Sequence, residues 1–211
     1  MKRKIWLAVE FALLFFGIPL WIYLDQDFIH PSIMVLPVLV FIFIVLRRTS
    51  DFTWKELFRW QVPGRLLLSN GLIMLVSAGL MLGFVLCFDR ENLFNLPRAN
   101  IWIFLAICLF YPVFSAFGQE IIYRTFLSRR YSGIFPGGWQ FVLASALSFS
   151  FLHIVYYNPI SLILTFIGGL YFARNYQLTR SVLFTSVLHG VYGILIFAVG
   201  LGQYFWLDMP V

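Results

Sequence analysis

The chain has 211 residues, of which 61% are hydrophobic, 20% aromatic and only 11% charged, with a formal net charge of +6. A mean hydropathy of +0.88 excludes a soluble domain with a polar surface and places the chain among polytopic membrane proteins. The basic excess lies in the connecting segments between apolar runs, which reads as membrane topology and excludes a nucleic-acid partner.

A bilayer core about 30 Å thick needs on the order of 20 apolar residues as helix. Seven segments approach that length: Ile5 to Leu24, Pro31 to Leu46, Leu66 to Phe88, Ile101 to Leu127, Phe141 to Tyr157, Ile160 to Ala173 and Ser181 to Leu207. The expected fold is an all-α bundle of about seven, at most eight, transmembrane helices forming a single domain over residues 1–211. The Ile160 segment is the short one, tilted or only partly spanning. No internal repeat or low-complexity tract interrupts the bundle.

The first span follows Met1-Lys2-Arg3-Lys4, as a signal peptide would. It is long, however, and runs into Asp25-Gln26-Asp27 with no small-residue cleavage site, so it is expected to remain as an anchor. Glu10, near its inner end, reads as structural, exposed at the interface or paired with Arg3 or Lys4. Residues 49–64 read as a loop with a short interfacial helix: Thr53 and Glu56 fit a capping box, Trp54, Leu57 and Phe58 form an apolar stripe, and Pro63-Gly64 ends it. Cys87 and Cys108 sit in apolar spans without metal-ligand spacing and read as core packers.

Charge sets the orientation. With the N-terminus inside, the inner segments carry Lys2, Arg3, Lys4, Arg47, Arg48, Lys55, Arg59, Arg65, Arg124, Arg129, Arg130, Arg174 and Arg180, and only Arg90 and Arg98 lie outside. The outer segments hold Asp25, Asp27, Asp89, Glu91 and Asp208. A bacterial cytoplasmic (inner) membrane suits a chain this compact.

Ionisable groups inside apolar spans are costly and mark function. In Gln119-Glu120-Ile121-Ile122-Tyr123-Arg124 the carboxylate and guanidinium lie four apart on one helix face, where they can pair. From the expected boundaries, Glu120 and His189 each lie roughly 13 Å into the membrane and His153 roughly 18 Å from its helix start, so the three approach one depth. A carboxylate can take a proton from water while imidazoles orient that water or stabilise an oxyanion. Alternatively, one Glu and two His can hold zinc with a position open for water. The short His-Glu-x-x-His signature is missing, so zinc is compatible with these residues but not indicated. A polar cluster that only fastens helices, and a proton relay or small transporter, are the other readings of the set.

Three motifs resemble the CAAX protease and bacteriocin-processing (Abi) family of intramembrane proteases. They are Gln119-Glu120-x-x-x-Arg124, Phe149-x-x-x-His153 and His189-x-x-x-Gly193, within a region of similarity over residues 101–202. The resemblance implies hydrolysis of a peptide bond by a glutamate-activated water, with Glu120, His153 and His189 catalytic and Gln119, Arg124, Phe149 and Tyr192 supporting. It also implies a peptide or membrane-protein substrate arriving from the bilayer or the cytoplasmic side, with no cofactor required. Two positions depart from the pattern. Gln119 stands where the family has its first Glu, and an amide does not accept a proton near neutral pH. Gly193 stands where a polar residue is usual, a gap that Tyr192 or Asn158 is expected to fill. These departures leave a proteolytically inactive binding or immunity protein as the alternative.

Overall fold

The computed structural model describes residues 2–25, 31–49 and 52–206, with backbone alone for 31–36. Asp27 and Asp208 of the charge argument lie outside the described residues. Every described element is helical, and each expected span falls on a helix: α1 (Lys2–Leu24), α2 (Pro31–Arg47), α3 (Gly64–Phe88), α5 (Ile101–Arg130), α6 (Gly138–Tyr156), α7 (Pro159–Thr179) and α8 (Val182–Val199). A short helix, α4 (Asn95–Ala99), precedes α5. The protein is therefore a polytopic helical membrane protein. Five helices (α1, α3, α5, α6 and α8) are long and apolar enough to cross a membrane.

The other two depart for visible reasons. Helix α2 is only 17 residues long, with Pro37 inside it. Helix α7 is not the short segment expected: it continues through Arg174 to Thr179, 21 residues in all, and it is the polar residues of that last stretch that dilute its hydropathy. At the other end of the chain, α8 stops at Val199, earlier than the hydrophobicity suggested. Gly200 adopts φ 111°, a conformation open to glycine at little cost, and a 3₁₀ turn over Leu201–Phe205 follows.

Packing is close where side chains are small. A Cβ on Gly169 of α7 would lie 2.9 Å from the Cα of Ala146 on α6, so the two backbones touch, as small residues permit in membranes. Around this pair runs the main core, including Phe15 of α1, Ile42 of α2, Phe126 of α5, Phe149 of α6 and Tyr176 of α7. Helix α3 is different. Most of its side chains face outward, and two polar contacts tie it across to the bundle, Tyr192 Oη–H donating to Ser77 Oγ at 3.1 Å and Tyr171 Oη–H donating to Asn70 Oδ1.

Long-range ion pairs clasp the end carrying Arg129 and Arg130. Glu10 pairs with neither Arg3 nor Lys4: it receives Arg130 through both oxygens at 2.8 and 2.6 Å, and the Tyr131 hydroxyl at 3.0 Å. Glu56 receives the Thr53 backbone N–H at 3.2 Å, as the capping box requires, and also binds Arg129. The loop segment is a single 3₁₀ turn, Trp54–Phe58, with Leu57 buried and Trp54 and Phe58 exposed. The cysteines are not core packers. Cys87 is exposed and Cys108 half-buried, because both lie on outward faces of their helices.

Candidate active site

The site is built on a distorted α5. Pro112 has no N–H to give the preceding turn, and the backbone there widens into a π turn over Tyr111–Ala116. A second π turn covers Ile121–Phe126, leaving Gln119 and Glu120 on the short α-helical stretch between. Such widened turns recur at functional sites because they rotate the residues on either side out of regular register.

Glu120 and Arg124 are both fully buried, with Glu120 Oε2 3.1 Å from Arg124 Nε. The other carboxylate oxygen, Oε1, lies 3.1 Å from His189 Nδ1. Arg124 is held in turn: Nη1 donates to Ser145 Oγ at 2.5 Å, Ser145 donates to the Tyr123 carbonyl at 2.8 Å, and the guanidinium sits 5.4 Å from the Phe149 ring centroid. Breaking a buried pair by removing one partner leaves an uncompensated charge, at a cost of about 3–5 kcal/mol.

Phe149 packs against both imidazoles. Its centroid is 4.9 Å from His153 and 5.2 Å from His189, while His189 also stacks on Phe172 at 5.0 Å and 19°. His153 Nδ1 lies 2.8 Å from the Phe149 carbonyl. A carbonyl and a carboxylate only accept, so each neutral histidine carries its proton on Nδ1 and presents a lone pair at Nε2. For His189 that lone pair receives the Tyr111 hydroxyl at 3.1 Å.

A cavity of about 230 Å³ adjoins these groups. Its polar wall includes Tyr111, Gln119, His153, Tyr156 and His189, and its apolar wall includes Phe149, Phe172 and Ile196. Ile73 of α3 and Ile167 of α7 line it too, and they are 45% and 59% exposed. The mouth therefore lies on the outward surface between α3 and α7, where a bilayer would stand. Glu120 is not on the wall; it reaches the cavity through His189. Gln119 is on the wall, its Nε2 donating to Ser115 Oγ at 2.9 Å and its Oε1 unpartnered.

All seven residues singled out by sequence thus gather in or behind one cavity. Neither expected substitute for a polar group at 193 reaches His189. Tyr192 turns to Ser77, and Asn158 caps α7, accepting from Ser161 N–H at 2.8 Å and donating to the Tyr204 carbonyl at 2.9 Å. Tyr111, absent from the sequence reading, makes that contact instead. Among the described residues no three His, Cys, Asp or Glu side chains are grouped to hold a metal ion.

Residues 99–195 match the family model described as Type II CAAX prenyl endopeptidase Rce1-like. No curated protein and no solved structure matches the chain at a significant level. The matched stretch contains all three motifs and bears out the resemblance drawn from them.

Proposed function

We propose, on the footing that residues 99–195 match the Rce1-like model of type II CAAX prenyl endopeptidases, that this chain is an intramembrane peptidase in which the glutamate acts through a histidine. The observation that carries the reading is the 3.1 Å contact between Glu120 Oε1 and His189 Nδ1, with His189 on the cavity wall. Glu120 fixes the imidazole's tautomer and would stabilise the imidazolium formed when His189 gains a proton at Nε2, as a carboxylate does behind a catalytic histidine. His153, whose Nε2 lone pair is left open by the bond to Phe149, orients the attacking water. Arg124 pairs with Glu120 and holds it in place. The apolar wall and the mouth between α3 and α7 suit an extended peptide arriving laterally from the bilayer.

One observation favours a second reading, a non-proteolytic binding or immunity protein. Gln119 holds an amide on the wall, at the place where the resemblance expects a carboxylate. Purified protein in lipid vesicles, given a prenylated peptide with a CAAX terminus, tests the two. Cleavage by the native chain that is lost in His189→Ala and unaffected by chelator supports the histidine–glutamate peptidase. Chelator-sensitive cleavage would overturn the metal-free mechanism, and cleavage seen only after Gln119→Glu would establish the second reading.

A further inference from the structure

The phenol of Tyr111 occupies the volume that a side chain at position 193 would need. A Cβ built on Gly193 collides with the edge of the Tyr111 ring and its hydroxyl. The same hydroxyl lies 3.1 Å from His189 Nε2 and is part of the cavity wall. The phenol therefore caps the basic nitrogen of the Glu120–His189 pair at the cavity wall. A water there cannot reach the Nε2 lone pair directly while Tyr111 donates to it.

We propose that Tyr111 is a catalytic residue that relays a proton from the attacking water to His189, and that Gly193 is small so that the phenol can stand there. The inference rests on the peptidase reading above. In the step, a water O–H breaks as its hydrogen passes to the phenol oxygen. The phenol's own hydrogen passes to His189 Nε2, and the water oxygen bonds to the peptide carbonyl carbon. Electrons move onto the carbonyl oxygen, and Glu120 holds the new imidazolium at Nδ1. Collapse of the tetrahedral species expels the amine, which takes the proton back from His189 along the same path. No group outside the site is consumed, and the phenol ends as it began.

The chain of contacts has the order such a relay needs. Arg124 Nε faces Glu120 Oε2, Glu120 Oε1 faces His189 Nδ1, and His189 Nε2 faces Tyr111. Each imidazole nitrogen has one partner, so the ring has no competing polar contact to draw it away. Pro112 and the π turn it begins position the phenol here.

Two variants and two measurements test the relay. Tyr111→Phe keeps the ring and removes the hydroxyl; Gly193→Ala adds a Cβ that the rigid Tyr111 ring must turn away from, taking its hydroxyl off His189. Histidine ¹⁵N spectra of the full chain in lipid report the bond without any substrate, with the His189 resonances assigned by His189→Gln. Both variants are expected to move the Nε2 resonance toward that of a free imine nitrogen and to lower kcat at least a hundredfold with KM within twofold, the range of lost acid–base catalysis. In the native chain the rate in mixed H₂O and D₂O should curve, as two moving protons require. If Tyr111→Phe shifts the resonance but keeps kcat within threefold, the relay is wrong while the peptidase reading stands. If neither variant shifts the resonance, the contact itself is wrong. If the native chain cleaves nothing while its spectrum shows the bond, the peptidase reading fails and takes the relay with it.

Discussion

His189 Nδ1 stands 3.1 Å from Glu120 Oε1, and Glu120 itself is 0% exposed. A carboxylate in that position cannot touch a water in the cavity. On the proposed mechanism its charge acts through the ring of its neighbour, which makes the pair the working unit. Glu120→Gln should therefore lower kcat by at least a hundredfold with little change in KM, because the amide neither stabilises an imidazolium nor enforces the tautomer. The steady-state constants of the variant in lipid vesicles check this, and a change confined to KM would place Glu120 in substrate binding.

Gln119→Glu moves a carboxylate to the cavity wall without disturbing Glu120. Its nearest polar neighbour is Ser115, 2.9 Å away in the native chain, and a hydroxyl can donate to a carboxylate as readily as it accepts from an amide. The variant should fold and should cleave a prenylated CAAX peptide faster than the native chain, since it puts a base on the cavity wall that His153 also lines. The ratio of the two rates is the measurement. A variant that cleaves no faster would mean that position 119 does not face the reacting water.

Much of this site was legible in the sequence because its chemistry is rare. Ionisable residues in apolar runs are few, so Glu120, Arg124, His153 and His189 could be picked out singly, and the spacing of four gave the Glu120–Arg124 pair, found at 3.1 Å. Tyr111 was hidden for a geometric reason. Nine residues of regular α-helix place it about 180° away from Glu120, yet both meet His189, because the chain between them leaves regular register at the π turn. The partner of Glu10 was out of reach for a different reason. Arg130 is 120 positions away, and only the packing of α1 against α5 makes it nearer than Arg3 or Lys4. The end of α7 was misjudged because Arg174 looked like a boundary, whereas Gln177 past it donates to the Gly138 carbonyl at 2.7 Å and the helix continues through both.

Ser145 should matter to stability more than its size suggests. Its hydroxyl accepts from Arg124 Nη1 at 2.5 Å while donating to the Tyr123 carbonyl, in a place with no room for solvent. Ser145→Ala leaves a buried guanidinium N–H unsatisfied, at a cost of about 1–3 kcal/mol. The melting temperature in detergent should fall, and cleavage by the protein that remains folded should be close to native. Loss of activity without loss of stability would mean that Ser145 acts on the reaction and not on the scaffold.

The mouth between α3 and α7 can be closed without touching Glu120, His153 or His189. Ile167 lines the cavity yet is 59% exposed, so its side chain has room to enlarge toward the bilayer or across the opening. Ile167→Trp should raise KM for a lipid-anchored peptide about tenfold, equivalent to about 1.4 kcal/mol of lost binding, with kcat within twofold. The comparison is with a short soluble peptide of the same cleavage sequence. If both peptides suffer equally, the indole has reached the site itself; if neither does, the substrate enters elsewhere. A defect specific to the anchored peptide would locate the passage between α3 and α7, where the contact of Tyr171 with Asn70 holds one wall against the other.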